Sequence, residues 1–473
     1  MDHRLEGKKH IHMIGIGGSG MYPLAQVLHA KGYYLTGSDN NETDTLAAVR
    51  AMGIPVMLGQ RPENLGGADL VVYSAAIAKT NPERAAAEAS GVEMMERSEL
   101  LGLVSQWYAD AVCISGTHGK TTVTSMLTQI LFTAGIDVSA VIGGKLPSIG
   151  GSGRVGKSEV FVCEACEYVD TFLKLSPDIA VILNIDEDHM EYFKTLENLK
   201  ASFTKFAQLS SRTVLYNGDD ANTCDAMKTV TGKEMIRFGT KPECEWRAAD
   251  IEHGTEGKTS FSVYHNGELL GRAEMLVPGE HNVLNALAAI AAACATGLSF
   301  EQCCAGLLTF HGAKRRFEVH ANVSGITVAD DYGHHPAEIA ATLRAAKAMP
   351  YRRVIAVHQP FTYSRTARLL DDFADALQIA DIVALTDIMG GREENDWHVF
   401  TRQLAEKIPG CIWFPQDETV PWTDERKYAN FDQVCAAVCR VALPGDLIIT
   451  LGCGDVNKLS KQIAQRLNAR AEG

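Results

Sequence analysis

A glycine-rich turn between an apolar strand and a helix constrains this chain more than any other feature. The apolar run Ala111 to Ile114 predicts a buried strand, and Thr121 to Thr133 predicts a helix. Between them stands Gly-Thr-His-Gly-Lys-Thr-Thr, at residues 116–122. A turn at a helix N-terminus presents backbone N–H groups that have no helical partner, and the helix dipole favours an anion there. We therefore predict a phosphate-binding turn at the end of a strand.

The residue types in this turn indicate a nucleoside triphosphate, and we predict that ATP contacts Gly116, Thr117, Gly119, Lys120, Thr121 and Thr122. The glycines let the backbone approach the phosphates, the lysine reaches the β- and γ-phosphates, and the Thr121 hydroxyl holds Mg²⁺. One position departs from the common G-x-x-x-x-G-K-[ST] pattern, because Ile114 stands where that pattern has glycine.

The composition is that of a globular protein with more than one domain. A chain of 473 residues exceeds what one hydrophobic core usually organises, so two to three domains are expected. No apolar run approaches the length that spans a bilayer, and the first residues lack the apolar core of a signal peptide. We therefore expect a cytoplasmic protein without membrane insertion.

The charge and the cysteines exclude further classes of protein. A formal net charge of −14 argues against broad adhesion to nucleic acid or membranes, so anionic ligands must be held by local cations and helix ends. The 12 cysteines are scattered and form no repeated C-x-x-C pair. In such a chain they are expected to be buried thiols.

A second glycine-rich turn lies near the N-terminus. His10 to Ile14 predicts a strand, Met21 to Ala30 predicts a helix, and Gly-Ile-Gly-Gly-Ser-Gly at residues 15–20 connects them. Asp39 follows the next predicted strand at nearly the offset of an acid that binds a ribose. Alone, this pattern favours NAD. A dehydrogenase has no use for the later triphosphate turn, however, whereas a nucleotide-diphosphate substrate here and ATP there explain both turns.

Strand and helix patterns alternate along the chain and predict an α/β protein with mainly parallel sheets. The alternation suggests domains at residues 1–105, 106–312 and 313–473, with a linker near His311 to Arg315. Within the second domain, Glu245 to Leu276 shows the two-residue period of an antiparallel addition.

Two candidate metal ligands follow strands of the second domain. Glu164 comes directly after the strand Val160 to Cys163, and His189 follows the strand Ile179 to Leu183 within an Asp-Glu-Asp-His string. Ligands of doubly wound sheets bind at the carboxyl ends of the strands. An acid and an imidazole beside a phosphate turn suit Mg²⁺ that bridges phosphate oxygens.

Five motifs together resemble those of the Mur ligases of peptidoglycan synthesis, over nearly the whole chain. They are the glycine turns at 15–21 and 116–122, Glu-His-Asn-Val-Leu-Asn at 280–285, Arg-Arg-Phe at 315–317 and Asp-Asp-Tyr-Gly-His-His-Pro at 330–336. The resemblance implies an N-terminal Rossmann-like domain for a UDP-sugar, a central ATPase-type parallel sheet and a C-terminal Rossmann-like domain for the amino acid.

The resemblance also implies a reaction. ATP-dependent ligation would join an amino acid to the lactyl carboxylate of UDP-N-acetylmuramate through an acyl phosphate. The resemblance favours L-alanine as that amino acid. The enzyme would be a monomer or a homodimer that uses Mg²⁺. A related ligase with another amino acid or a peptide as acceptor remains open, as do a nicotinamide-dependent oxidoreductase and a non-catalytic nucleotide-binding regulator.

Site residues follow from the same resemblance. The UDP-sugar would contact Gly15, Gly17, Gly18, Ser19, Gly20, Met21, Asp39 and Ser74, and ATP would further contact Asn282, Asn285 and Arg316. Tyr332, His334 and Arg365 would surround the amino acid, and Thr121, Glu164 and His189 would hold the metal. Lys120, Arg316 and His334 would be catalytic; either His334 or a phosphate oxygen would take the ammonium proton.

Two stretches depart from the family pattern. Ala-Cys-Glu-Tyr-Val follows Glu164 where the family normally has A-D-E-S-D, which removes two acids and a serine. Phe361 stands where the family has the histidine of a Q-P-H string. Because phenylalanine cannot form hydrogen bonds as a histidine side chain can, the resemblance predicts a more apolar amino-acid pocket.

Overall fold

The computed structural model describes residues 4–254, 258–391, 393–415, 418 and 430–472. Three sheets, of five, ten and five strands, are each flanked by helices, which confirms the predicted α/β class. Across the described part of the chain, no helix has both the length and the apolar character needed to cross a membrane. All 12 cysteines are free thiols and six of them are buried, as expected from their distribution.

The first sheet is parallel, with the order β3-β2-β1-β4-β5. Its strands are β1 (His10–Ile14), β2 (Tyr34–Asp39), β3 (Val56–Leu58), β4 (Leu70–Tyr73) and β5 (Glu93–Glu96). Its helices are α1 (Tyr22–Ala30), α2 (Asp44–Ala51), α3 (Pro82–Ser90) and α4 (Arg97–Ser105). The predicted strand and helix around the first glycine turn are therefore both present, and β1 has the predicted bounds.

The central sheet has the order β15-β14-β13-β12-β11-β10-β6-β9-β7-β8. Its strands are β6 (Asp110–Ser115), β7 (Ser139–Leu146), β8 (Gly151–Arg154), β9 (Val160–Glu164), β10 (Ile179–Ile182), β11 (Thr213–Asn217), β12 (Glu234–Gly239), β13 (Trp246–His253), β14 (Thr259–His265) and β15 (Glu268–Met275). Its helices are α5 (Lys120–Thr133), α6 (Met190–Phe193), α7 (Leu196–Leu209), α8 (Ala221–Met227), α9 (Glu280–Ala295) and α10 (Phe300–Leu307). Asn266 and Gly267, both with positive φ, connect β14 to β15 as a two-residue hairpin turn, in the predicted antiparallel addition.

The third sheet has the order β16-β17-β20-β18-β19, in which the first pair is antiparallel and the others are parallel. Its strands are β16 (Glu318–Val323), β17 (Ile326–Asp331), β18 (Val354–His358), β19 (Ile382–Leu385) and β20 (Leu447–Leu451). Its helices are α11 (Pro336–Ala348), α12 (Tyr363–Arg368), α13 (Leu370–Leu377), α14 (Thr401–Ala405), α15 (Phe431–Val441) and α16 (Val456–Glu472). Apolar clusters on both faces of this sheet form its core.

The chain forms two compact units. One contains residues 1–251, 260–275 and 284–313, and the other contains residues 252–259, 276–283 and 314–473. The domain boundaries at 105/106 and 312/313 remain predictions.

Candidate active site

The triphosphate turn connects β6 to α5, and its two glycines occupy positions that no other residue would fit. Gly116 has φ 144°, and a methyl group there would lie 2.9 Å from Cβ of Leu183. Gly119 has φ 87° and precedes α5, where a methyl group would lie 2.7 Å from Oδ1 of Asn285. Both positions therefore require glycine, and Asn285 lies against the turn.

The position of Ile114 in β6 explains why this residue replaces the glycine of the common phosphate-loop pattern. It is a fully buried residue of β6 and pairs in register with Glu164 of β9. The strand continues through Ser115, so the close approach of backbones begins at Gly116 instead of residue 114.

The segment after β10 holds the triphosphate turn in shape. Backbone N–H groups of Thr117 and His118 donate to the backbone and side-chain oxygens of Asn184, over 3.0 and 2.7 Å. The N–H of Asp186 donates to the Thr117 hydroxyl over 2.9 Å. These bonds orient the turn before any ligand binds, which reduces the entropy lost on phosphate binding.

Lys120 begins α5 and is bound by four oxygens. Its Nζ donates to the carbonyls of Gly116 (2.5 Å) and Thr117 (3.0 Å). It also lies 3.1 and 2.9 Å from the two carboxylate oxygens of Glu167, which is 1% exposed. Although burial alone would lower the pKa of Lys120, the charge of Glu167 raises that pKa above its usual value. The lysine is therefore a permanent cation at the turn.

Glu164 ends β9, the strand beside β6 in the sheet. Its Oε1 accepts a hydrogen bond from the N–H of Gly143 over 2.6 Å, and a methyl group at Gly143 would clash with Oε2. The carboxylate is thus held at the carboxyl edge of the sheet, next to the strand that leads into the phosphate turn. This is the predicted position for Glu164.

His189 lies in an acidic environment in front of α6. Its ring contacts that of Tyr168, with centroids 4.6 Å apart, and its nitrogens lie 3.7 Å from Asp188 and 3.5 Å from Glu191. Its φ is 55°, in the left-handed region that a non-glycine residue seldom adopts. Tyr168 belongs to the segment after Glu164, so the histidine ring packs on that segment, while Thr121 lies in the first turn of α5. The shared metal site of these three residues remains a prediction.

The first glycine turn adjoins the carboxyl ends of three strands. Ile14 pairs in register with Ser38 of β2 and with Tyr73 of β4, so the following residues, Gly15, Asp39 and Ser74, share one edge. Asp39 accepts a hydrogen bond from the N–H of Gly17 over 3.1 Å. Asp39, the acid predicted to bind a ribose, therefore contacts the first glycine turn.

The remaining residues of the first turn have different surroundings. Gly18 accepts from the N–H groups of Met21 and Tyr22, over 3.0 and 2.9 Å, and so starts α1. Ser19 accepts at its carbonyl from the Ser152 hydroxyl over 3.1 Å. Met21 is 1% exposed and packs in the core, so the structure provides a packing role for it. Its predicted contact with a UDP-sugar is untested.

Arg97 is a cation at the first turn that sequence reasoning missed. It begins α4 directly after β5, and a methyl group at Gly20 would lie 3.1 Å from its Cδ and 3.3 Å from its Nη1. The strand-like run Val92 to Met95, with a basic residue two positions after it, was the available signal. Its guanidinium is suited to a diphosphate on this turn, because it offers a planar fork of N–H donors.

The third sheet carries an arginine, tyrosine, histidine and glutamate cluster at one edge. Arg315 and Arg316 lie over the ring of Tyr332, with 4.9 and 5.4 Å between each guanidinium carbon and the ring centroid. The N–H of His334 donates to Glu338 over 3.0 Å, and Nδ1 of His334 lies 3.2 Å from the carbonyl of Tyr332. Three of the predicted residues, Arg316, Tyr332 and His334, are thereby brought together.

Asp331, a second residue that sequence reasoning did not select, connects the two loops of this cluster. Its carboxylate accepts from the N–H of Phe317 over 2.8 Å and from that of Gly333 over 2.7 Å. One loop contains Arg316 and the other contains His334. Burial raises the pKa of Asp331, while Arg316 and the two N–H donors lower it. Its position within the Asp-Asp-Tyr motif was the available signal.

The other predicted residues lie in separate surroundings. Arg365 is on α12, after the end of β18, and Nδ2 of Asn282 donates to the carbonyl of Pro278 over 2.6 Å. Phe361 is half-buried and packs on Gly391, where a methyl group would lie 3.2 Å from its Cζ. The ring therefore fills space beside the segment after β19 and offers no polar atom.

Comparison with protein families shows matches along most of the chain. Residues 10–108 match the model described as Mur ligase family, catalytic domain. Residues 114–293 match the Mur ligase middle domain, and residues 315–454 match the Mur ligase glutamate ligase domain.

Individual proteins are similar over almost the full length. The chain is 41% identical to a UDP-N-acetylmuramate–L-alanine ligase of Caldanaerobacter subterraneus subsp. tengcongensis, covering 98% of this chain and 99% of the relative. It is also 41% identical to the ligase of the same name from Acetivibrio thermocellus, over 96% of this chain and 95% of the relative. Among solved structures, UDP-N-acetylmuramate-alanine ligase of Thermotoga maritima matches with a TM-score of 0.79 and 25% identity, over 98% and 100% of the two chains. A murein peptide ligase of Psychrobacter arcticus matches with a TM-score of 0.72 and 25% identity, over 97% and 99%.

Proposed function

Because this chain belongs to the Mur ligase family, we propose that it is an ATP-dependent ligase that joins L-alanine to the lactyl carboxylate of UDP-N-acetylmuramate. The product would serve peptidoglycan precursor synthesis in the cytoplasm. The observation that carries the proposal is the position of Lys120, on a phosphate turn that leaves β6 beside the acid that ends β9. A transferable phosphoryl group needs this combination of a cation, backbone N–H donors and an acid.

Each substrate is assigned to its own set of residues. ATP phosphates would lie on the turn at 116–122, next to Asn285, with Asn282 and Arg316 as further predicted contacts. The UDP-sugar would lie on the first glycine turn, with its diphosphate near Arg97 and its ribose near Asp39. Arg365 would bind the carboxylate of the amino acid, since a guanidinium matches a carboxylate with two parallel hydrogen bonds.

Mg²⁺ fits the donor set that we assign to it. Glu164 offers a carboxylate at the strand end, Thr121 a hydroxyl in the first turn of α5, and His189 an imidazole. Carboxylate and hydroxyl oxygens are ligands that Mg²⁺ prefers, and it usually completes its shell with phosphate oxygens and water. When bound, the ion would offset negative charge on the phosphate oxygens.

The proposed chemistry begins with transfer of the γ-phosphoryl group. The lactyl carboxylate attacks the γ-phosphorus in line, ADP leaves, and an acyl phosphate forms. Lys120 supplies a permanent positive charge where negative charge accumulates on the transferring oxygens. Water must be excluded, because it would hydrolyse the acyl phosphate.

The second step forms the amide bond. The amine of the amino acid attacks the acyl carbon, and inorganic phosphate leaves as the carbon–oxygen bond breaks. The ammonium group must first lose a proton, for which His334 is our candidate base. Its Nδ1 lies near the Tyr332 carbonyl and 3.4 Å from a carboxylate oxygen of Glu338, both of which accept hydrogen bonds. The ring proton is therefore assigned to Nδ1, and the lone pair to Nε2.

One assay tests the proposal. Phosphate release from ATP is measured with UDP-N-acetylmuramate and Mg²⁺, alone and with L-alanine, L-serine, glycine or a peptide. Release that requires UDP-N-acetylmuramate and is fastest with L-alanine is the expected result. Release only with a peptide would instead indicate a murein peptide ligase activity. Absence of release, together with NAD binding, would contradict the ligase proposal.

A further inference from the structure

Lys120 has no N–H donor left for a nucleotide in this arrangement. An ammonium group has three protons, whereas four protein oxygens surround Nζ at 2.5–3.1 Å. Two of those oxygens belong to the single carboxylate of Glu167. The phosphates of ATP must therefore displace or share acceptors that the lysine already has.

Glu167 is the acceptor with the greatest effect on that exchange. The carbonyls of Gly116 and Thr117 belong to the turn itself and are neutral, whereas Glu167 carries a full negative charge and is 1% exposed. A buried carboxylate is poorly screened by solvent, so it both attracts the lysine strongly and repels nearby phosphates.

We propose that Glu167 is a positioning residue that lowers nucleotide affinity by competing with the ATP phosphates for Lys120. Without nucleotide, it neutralises the lysine and holds its Nζ over the turn. When nucleotide binds, Lys120 exchanges the carboxylate for phosphate oxygens, and Glu167 loses its ion pair. The free energy of that loss is subtracted from the binding free energy of the nucleotide.

The substitution Glu167→Gln tests the competition, because glutamine has the same size and no charge. Binding of the non-hydrolysable analogue AMP-PNP, with Mg²⁺ and without the other substrates, is measured by calorimetry. We expect the Kd to fall about tenfold, as a change of about 1.4 kcal/mol in binding free energy would produce. Glu159→Gln is the matched control, since Glu159 is exposed and directly precedes β9, at the end opposite Glu164.

A double-mutant cycle tests whether Glu167 changes nucleotide affinity through Lys120. In a Lys120→Met background, Glu167→Gln should leave the Kd for AMP-PNP unchanged, because the contested cation is absent. If one variant folds poorly, the Tm values of the same four proteins are compared instead of their Kd values. Lys120→Met alone leaves Glu167 buried without its cation and should lower Tm, and adding Glu167→Gln should restore most of that loss.

Two results would overturn the proposal. One is an unchanged or higher Kd in Glu167→Gln, and the other is a lowered Kd that persists in the Lys120→Met background. The proposal rests on the proposed function only through nucleotide binding at Lys120. Failure of the ligation assay with normal AMP-PNP binding would reject the ligase assignment and leave this inference standing.

Discussion

Nε2 of His12 and Oε1 of Glu83 lie 2.8 Å apart in the first sheet, and neither side chain has any exposed surface. His12 is on β1 and Glu83 is in the first turn of α3. Nδ1 of His12 lies 2.8 Å from the Thr36 hydroxyl, and the second oxygen of Glu83 accepts from the Ser38 hydroxyl. The hydrogen bonds of this polar pair therefore connect β1, β2 and α3.

Removing Glu83 from that pair should destabilise the folded protein. Glu83→Ala leaves the His12 ring and the Ser38 hydroxyl buried without their acceptor, so we expect the free energy of unfolding to fall by about 1–3 kcal/mol for each of these two groups. Urea denaturation followed by circular dichroism measures it. Glu88→Ala is the control on the same helix, because Glu88 is exposed and should cost less than about 0.5 kcal/mol. Similar losses in the two variants would contradict the importance of the buried pair.

Arg97 should contribute to UDP-sugar affinity. We expect Arg97→Met to raise the Kd for UDP-N-acetylmuramate at least tenfold, equivalent to about 1.4 kcal/mol, because a charge-assisted contact to the diphosphate is lost. Calorimetric titration of the folded variant measures the change. Arg50→Met, on the exposed surface of α2, removes the same charge and should leave the Kd unchanged. Equal affinities of Arg97→Met and the native enzyme would exclude Arg97 from the site.

Arg365 should bind the amino-acid carboxylate through its geometry as well as its charge. Arg365→Lys keeps the charge but loses the planar fork, so we expect the KM for alanine to rise about tenfold and the KM for ATP to stay nearly constant. Steady-state phosphate release, with each substrate varied in turn, separates the two constants. Normal alanine kinetics in this variant would remove Arg365 from the amino-acid site.

Phe361 should favour small apolar side chains. A serine hydroxyl next to this ring would be buried without a partner at a cost of about 1–3 kcal/mol, so kcat/KM should favour alanine over serine by about ten- to a hundredfold. Phe361→His supplies a polar partner and should narrow that ratio. The two amino acids are compared in the same phosphate-release assay, and equal use of both by the native enzyme would refute the pocket assignment.

His358 should make the protein less stable in mild acid. Burial in the third sheet lowers the pKa of His358 to about 4, and the ring donates from Nδ1 to the Leu451 carbonyl over 3.0 Å. The unfolded chain binds a proton at this histidine near pH 6.5, whereas the folded protein does not until about pH 4. Falling pH therefore favours unfolding across that window, by up to about 3 kcal/mol.

The comparison variant for this effect is His358→Phe, which keeps an aromatic ring against Phe373. The free energy of unfolding of both proteins is measured from pH 7 to pH 4. The native protein should lose about 3 kcal/mol more than the variant. Parallel pH profiles would show that His358 titrates alike in the folded and unfolded chains.

The strand–turn–helix segments are predictable from the sequence because their signals are local. Apolar runs, glycines and helix starts within about twenty residues predicted both glycine turns, and the predicted bounds of β1, His10 to Ile14, agree with the structure. The order of the strands follows less directly from such patterns. β4 and β5 lie on the opposite side of β1 from β2, and this crossover brings Arg97 to the turn that contains Gly20.

The sequence by itself determined the α/β class, the two strand–turn–helix segments with their glycine turns, and the family, since short motifs and hydrophobic periods encode these. Only the tertiary structure decided the partners of the buried titratable side chains. Lys120 meets an acid 47 positions away, and His12 meets one 71 positions away. Charged side chains follow no periodic pattern that marks burial, so their pairing depends on which strand ends the completed sheet brings together.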